Sequence, residues 1–393
     1  MKKLAIITSH PIQYYAPWFA YLAQNAPFTV RVFYLWDFGV TQQQDAGFQQ
    51  AVQWDIPLLD GYDSEFVPNV SRSPGTSHFW GLQNPSLSHR VSQYQPDAVL
   101  LMNYSYASIY QFLLNWRRFP LGSRKTPLLF RGDSHRLVMQ QGLKETLRRQ
   151  WISLIYQQFS ACLYVGKANY RYFQYHGVPE ERLFFAPHAI DNDRFFAQAA
   201  VATQEAIQWK QELGIPPEHR VILFAGKLIP KKRPLDLLQA FLAANLPQTS
   251  LLFVGSGEQE SMLRSQAATH PHVYFAPFQN QSQMPRTYAI ADVMVLPSHG
   301  SGETWGLAVN EAMCLSKPVI VSTHVGCASD LVQSQRNGLI FPAGDVAALR
   351  DCLQQALSDR EQLRQWGQES ANIIRHYGYQ QTTEGLVRAL DAV

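Results

Sequence analysis

Residues 299 to 322 read "HGSGETWGLAVNEAMCLSKPVIVS". This stretch follows an apolar strand-like run, "VMVLPS" (293–298), passes through a glycine- and serine-rich turn into a helical run near Leu307, and returns to strand in "PVIVS". Strand, turn, helix, strand is the unit from which parallel sheets with helical crossovers are built. The same stretch holds an anomaly. Glu303 lies in the turn, but Glu311 lies among Val309, Ala312 and Met313, where a carboxylate is costly to bury without a partner.

Working outward, the alternation continues in both directions. In the same half come "VILFAG", a helix from Pro234, "SLLFVGSG", a helix from Glu258, "VYFAPF" and "QMPRTYAIA" before the stretch, and "GLIF" and "DVAALRDCLQQAL" after it. Toward the N-terminus the strand candidates are "LAIITS" (4–9), "FTVRVFYL" (28–35), "DAVLLM" (97–102), "TPLLF" (126–130), "ACLYV" (161–165) and "LFFAPH" (183–188). Residues 37 to 88 are less regular, and loops with a covering strand pair are expected there. The polar stretch from 195 to 218, reset at Pro216-Pro217, is the best boundary. The expected fold class is α/β, two doubly wound domains in tandem facing across a cleft, residues 1–200 and 201–374.

Composition limits the function. At 393 residues the chain is too long for one ordinary core, and its 46% apolar content can build two. The net charge of +3 is small and its basic residues form no single long stripe, which disfavours nucleic acid as a partner. Cys162, Cys314, Cys327 and Cys352 are far apart in apolar segments and read as buried thiols of a reducing compartment. The apolar run near the N-terminus is too short for a signal-peptide core, and no stretch approaches the ~20 apolar residues that cross a bilayer. A cytoplasmic protein is expected, at most peripheral on the inner face of the membrane.

In open α/β sheets, ligands collect where strands end. After "VILFA" come Gly226, Lys227, Lys231, Lys232 and Arg233; after "LLFV" come Gly255 and Gly257, read as a tight turn that lets a ligand approach the backbone; after "VMVLPS" comes the opening stretch. Lysines beside helix N-terminal amides suit a diphosphate. Carboxylates do not, and they accept paired hydroxyl donors instead, so Glu303 and Glu311 point to a polyol. A ligand with both ends is a nucleotide sugar.

At this point a resemblance enters. "FAGKLIPKKRPLDLLQAF", "LLFVGSGEQ", the run to "PVIVS" and "GLIFPAGD" resemble the nucleotide-binding half of retaining group 1 glycosyltransferases of GT-B fold (family four type), most specifically in the Glu-x7-Glu spacing of Glu303 and Glu311. The resemblance is dense over residues 184 to 360. It implies that Lys227 and Lys232 neutralise the donor diphosphate, that Gly306 and Leu307 offer amides, that Glu311 holds the ribose and that Glu303 holds the transferred sugar. Lys227 stands where the family more often has arginine, and Arg233 where it often has glycine. The resemblance also implies a tail, 375–393, that returns to pack on the first domain. Trp305, between the two motif elements, either shapes the donor-sugar pocket or packs.

In the first half the resemblance is weaker. "PHAIDNDRF" resembles the family's junction, with His188 where asparagine is usual, and "SHPIQYY" replaces a glycine-rich loop. This half is expected to hold the acceptor, with His10, Gln13, Tyr14 and Arg131 as contacts and Asp133 and His135 as catalytic candidates. "QGLKETLRRQW" is basic and amphipathic, which fits either a solvated helix face or contact with anionic lipid or a lipid-linked acceptor. Asp191 in "DND" mimics an Asp-x-Asp metal motif, but the context favours a cap before Phe195. The histidines show no ligand spacing, so no metal and no cofactor is expected.

Paired carboxylates also raise a glycosidase. On a continuous helix Glu303 and Glu311 would stand ~12 Å apart, beyond the ~5–9.5 Å that hydrolases use. The expected function is metal-independent, retaining sugar transfer from a nucleoside-diphosphate sugar to a carbohydrate or lipid-linked acceptor. The alternatives are a nucleotide-sugar epimerase or hydrolase, or a non-catalytic binding module.

Overall fold

The structure, a computed structural model, describes residues 1–41, 43–45, 47–118, 126–138 and 142–393. Strands Lys2–Thr8 (β1), Phe28–Tyr34 (β2), Gln43–Asp45 (β3), Gln50–Val52 (β4), Asp63–Phe66 (β5), Ala98–Leu101 (β6), Leu128–Arg131 (β7), Ala161–Tyr164 (β8) and Leu183–Phe185 (β9) occupy the first half. All but β3 and β4 form a parallel sheet in the order β5-β2-β1-β6-β7-β8-β9. The second sheet, in the order β12-β11-β10-β13-β14-β15, joins Arg220–Ala225 (β10), Thr249–Val254 (β11), Val273–Ala276 (β12), Val293–Leu296 (β13), Val319–Ser322 (β14) and Gly338–Phe341 (β15). It too is parallel throughout.

Strands such as "VILFA" and "VMVL" are apolar without alternation because helices cover both faces of each sheet. In both sheets the strand order reverses beside the first strand, between β1 and β6 and between β10 and β13. Crevices open at the carboxyl ends of such strands. The loops after β10 and β13 therefore meet there, and they carry the lysines and the opening stretch.

Two features depart from the sequence reading. The polar segment "DSEF" is β5, an edge strand beside β2, where Arg31 pairs with Asp63 at 2.6 Å; one open edge tolerates charge that an interior strand would not. The helix read from Glu258 begins at Glu260. The irregular region does contain an antiparallel strand pair, β3 and β4, which reaches over the second sheet's strand ends.

Helix Asn192–Glu212 starts on Asp191, whose carboxylate accepts from the Arg194 amide, so "DND" is a helix cap. The last helix, Tyr379–Asp391, lies on the first sheet: Thr382 donates to the Pro187 carbonyl (2.8 Å), Trp18 donates to Thr383 (3.2 Å), and Leu386 and Ala389 are buried with Leu163 and Ala186. Cys162, Cys314 and Cys327 are buried free thiols; Cys352 is half-buried. Among the described residues, no helix is long and apolar enough to cross a membrane.

Candidate functional site

A cavity of about 380 Å³ opens between the two sheets, lined from the second half by Gly226, Lys227, Lys232, Glu303, Trp305 and the first turn of helix Leu307–Cys314. Gln13, Tyr14 and Asp133 line it from the first half.

Glu311 is 1% exposed, and the partners its burial demanded are two phenols. Tyr288 donates to one oxygen at 2.7 Å and Tyr14 to the other at 3.3 Å. Burial pushes the carboxyl up to about 7, and the hydrogen bond from Tyr288, the Arg194 charge and the hydrogen bond from Tyr14 only partly offset it. Glu303 is arranged differently. It forms a salt bridge with Lys232 and accepts from the Ser298 hydroxyl at 2.8 Å. Burial works to raise its carboxyl, but the charge and hydrogen bond of Lys232 prevail and hold it below the usual range. The two glutamates thus differ in state: one poised near neutrality, the other firmly ionised.

Lys227 meets the Asp45 carboxylate at 2.8 Å and lies 4.8 Å from the centre of the Phe48 ring. Both residues belong to the strand-pair segment of the first half, and the Phe48 carbonyl accepts from Ser256 at 2.8 Å. Burial of Asp45 is outweighed by its bond to Lys227, which holds the carboxyl below its ordinary value. Phe48 also packs edge-on against Phe278 (4.6 Å), and Trp54 flanks the same ring.

Gly306 takes φ +100° at the start of the helix, where a Cβ would meet Val325 at 2.9 Å. Gly255 and Gly257 answer to protein backbone rather than to a ligand. A Cβ on Gly255 would fall 2.1 Å from the Gly226 carbonyl oxygen, and one on Gly257 2.6 Å from that of Leu228. These glycines let the loops after β10 and β11 cross, which sets Gly226 and Lys227 at the cavity rim. Trp305 is 3% exposed; its indole donates to Asn310 at 2.9 Å, and the Asn310 amide donates to the His188 carbonyl at 3.1 Å. It packs, and one face of its ring also walls the cavity.

In the first half the candidates separate. Asp133 accepts from the Thr304 hydroxyl at 2.6 Å, and His135 Nε2 donates to the Glu303 carbonyl at 3.1 Å while its Nδ1 accepts from the Leu137 amide. Both grip the 303–304 turn of the other half. Burial favours neutral Asp133, but neighbouring His188 at 3.7 Å, Thr304 and Arg131 hold its carboxyl down to about 2. His188 itself is lowered by burial, so it sits beside Asp133 as a neutral ring. Gln13 and Tyr14 reach the cavity. His10 and Arg131 do not: His10 packs against Trp36 and Phe38, and buried Arg131 donates to the Pro187 carbonyl (3.0 Å) and lies over Tyr15 and Trp18. Asp45, Phe48, Trp54 and Tyr288 gave no sequence signal: the first three lie in the irregular region, and Tyr288 reads as one more apolar helix position.

Residues 205–373 match the family model of glycosyl transferases group 1. The likeness to that family lies in the second domain, and the matched segment carries Lys227, Lys232, Glu303 and Glu311. A D-inositol 3-phosphate glycosyltransferase of Nocardia farcinica is 27% identical over 231 residues, 55% of this chain and 49% of that protein, so the chain spans about half of this relative's length. A GDP-mannose-dependent monoacylated alpha-(1-6)-phosphatidylinositol monomannoside mannosyltransferase of Corynebacterium glutamicum is 24% identical over 334 residues, 83% of this chain and 84% of that protein. The fold superposes on Anabaena HepE in complex with UDP and glucose over the full length of both chains, with TM-score 0.70 and 16% identity. The two sheets with their helices together make a GT-B fold.

Proposed function

We propose that the chain is a retaining glycosyltransferase that moves a sugar from a nucleoside-diphosphate sugar to an acceptor hydroxyl without a metal. The observation that carries this reading is the cavity in which Lys227, Lys232, Glu303, Glu311 and a helix N-terminus converge. A GDP-mannose-dependent relative and a structural neighbour bound to UDP and glucose support a nucleotide sugar as donor.

In this reading Glu311 accepts the ribose hydroxyls, and Phe48, Trp54 and Phe278 flank the base. The Lys227 and Lys232 ammonium groups and the amides opening helix Leu307–Cys314 face the diphosphate. As the bond from sugar C1 to the phosphate oxygen breaks, the electron pair goes to the phosphate, and these groups stabilise the charge that develops. Glu303, ionised and fixed by Lys232 and Ser298, holds the sugar hydroxyls. The acceptor oxygen bonds to C1 on the same face, and its proton passes to the departing phosphate. Asp133 and His135 position the 303–304 turn across the cleft. The acceptor, a carbohydrate or lipid-linked sugar of surface polysaccharide or glycolipid synthesis, enters from the first half past Gln13, in the cytoplasm.

Incubation with mixed sugar nucleotides and cell extract, followed by mass spectrometry, tests this. An acceptor gaining one sugar together with free nucleoside diphosphate supports transfer. Consumption of sugar nucleotide with no glycosylated product replaces it with hydrolysis or epimerisation.

A further inference from the structure

We infer that the helix Leu143–Tyr156 and its surroundings form a docking face for an anionic lipid bilayer. On this helix Leu143, Leu147, Trp151 and Leu154 are 76%, 58%, 54% and 53% exposed, and at steps of four, four and three residues they form one stripe. The opposite face, with Ile152, Ile155 and Tyr156, is buried in the first domain's core, so the helix is already anchored and its outward leucines have no partner among the described residues. The stripe continues beyond the helix. Trp151 stacks on Tyr110 (6.0 Å), Tyr110 meets Phe79 (5.3 Å), and Phe79 meets Trp80 (4.9 Å), which is itself exposed; Leu114, one turn after Tyr110, is exposed as well. A contiguous exposed apolar surface with tryptophans at two places is suited to the boundary between lipid chains and headgroups.

Charge selects the occupant. Residues 98–179 contain eleven lysines and arginines, of which Arg131 is buried, but only two acids, Asp133 and Glu145, in a chain whose total charge is +3. Of the two acids, Asp133 faces the cleft and Glu145 is buried against Arg148. Lys144 and Arg148 flank the leucine stripe and are exposed. Apolar residues bordered by a local excess of cations fit an anionic membrane surface; a second copy of this chain would bring the same positive charge against itself. The helix belongs to the half that lines the cleft with Gln13, Tyr14 and Asp133, and a membrane docked on it would bring acceptors to that half. The inference does not rest on the proposed transfer reaction, because docking needs no sugar nucleotide.

Sedimentation of the full chain with vesicles tests it. Vesicles of phosphatidylcholine with about 30% phosphatidylglycerol should pull the protein down, and pure phosphatidylcholine vesicles should retain about tenfold less. Leu143→Ser/Leu147→Ser/Trp151→Ser, folded by circular dichroism, and separately Lys144→Glu/Arg148→Glu, should each lower the anionic-vesicle fraction about tenfold. Absence of sedimentation on anionic vesicles, or sedimentation of both variants like the wild type, overturns the inference. So does a wild-type dimer that the serine variant converts to monomer while vesicles bind neither.

Discussion

The Tyr14 hydroxyl lies 3.3 Å from the Glu311 carboxylate, so the loop after the first strand of one domain touches the acid buried deepest in the other. Tyr14 is therefore a gauge of the cleft's closure, and it also helps set the proton affinity of the acid proposed to hold the ribose. Removing it by Tyr14→Phe deletes one of the two donors that favour the carboxylate form. We predict a loss of about 1 kcal/mol in donor binding at pH 7, about fivefold in Kd, measured by calorimetry.

Donor binding should also depend on pH through Glu311. Its carboxyl sits at about 7, pushed up by burial, and ribose hydroxyls bind the ionised form. Donor affinity should rise roughly tenfold from pH 6 to pH 8, with Glu311→Gln showing only the residual slope of the phosphates. Stability runs the other way. Between 4.5, the carboxyl's ordinary value, and about 7 the folded chain keeps a proton that the unfolded chain has released, so this group's contribution falls as pH rises through that window. A Glu311→Gln variant whose melting temperature shows the same pH slope as wild type there would contradict this assignment.

Glu303 and Lys232 form a half-buried pair, and their substitutions should not be equivalent in effect. Glu303→Gln keeps the shape and the contact to Ser298, so it should lower kcat by about a hundredfold with little change in KM. Lys232→Ala leaves a half-buried carboxylate without its ion partner and should cost about 1–3 kcal/mol of stability besides raising KM. Thermal unfolding alongside steady-state kinetics separates the two effects.

Asp45 occupies the ammonium group that the diphosphate would use. Asp45→Asn should remove that internal competitor and tighten nucleotide binding by about 1 kcal/mol, whereas Lys227→Ala should weaken it. Equal nucleotide affinity in wild type and Asp45→Asn would show that the segment moves aside at no electrostatic cost.

Gly255→Ala tests the loop crossing. A Cβ 2.1 Å from the Gly226 carbonyl cannot be accommodated without moving the Lys227 loop, and a φ of +135° strains any other residue. A loss of about 2–4 kcal/mol in stability is expected, read as a lowered Tm, together with weaker nucleotide binding.

Much of this site was legible in the sequence because its parts are local. The loop after β10, the turn with Glu303 and the helix with Glu311 each follow a strand whose apolar run is plain, and strand ends are where such sheets gather ligands. What stayed hidden came from between elements. Nothing in "QMPRTYAIA" says that Tyr288 turns toward Glu311, and nothing in the polar region before residue 56 says that Asp45 reaches Lys227, 182 positions away. His10 and Arg131 lie off the cavity for the same reason. Each follows or ends a strand and so resembles a rim residue, yet aromatic neighbours cover one and backbone carbonyls bind the other. Side-chain direction across a domain interface is tertiary information that periodicity does not carry.

Whether the two glutamates and the lysine loop hold a sugar nucleotide is read from calorimetric titration with UDP, GDP, ADP and dTDP, repeated on Glu311→Ala. At least one of the four should bind the wild-type chain, and Glu311→Ala should abolish that binding while the protein remains folded. Binding of none of the four, or undiminished binding by Glu311→Ala, would contradict that role.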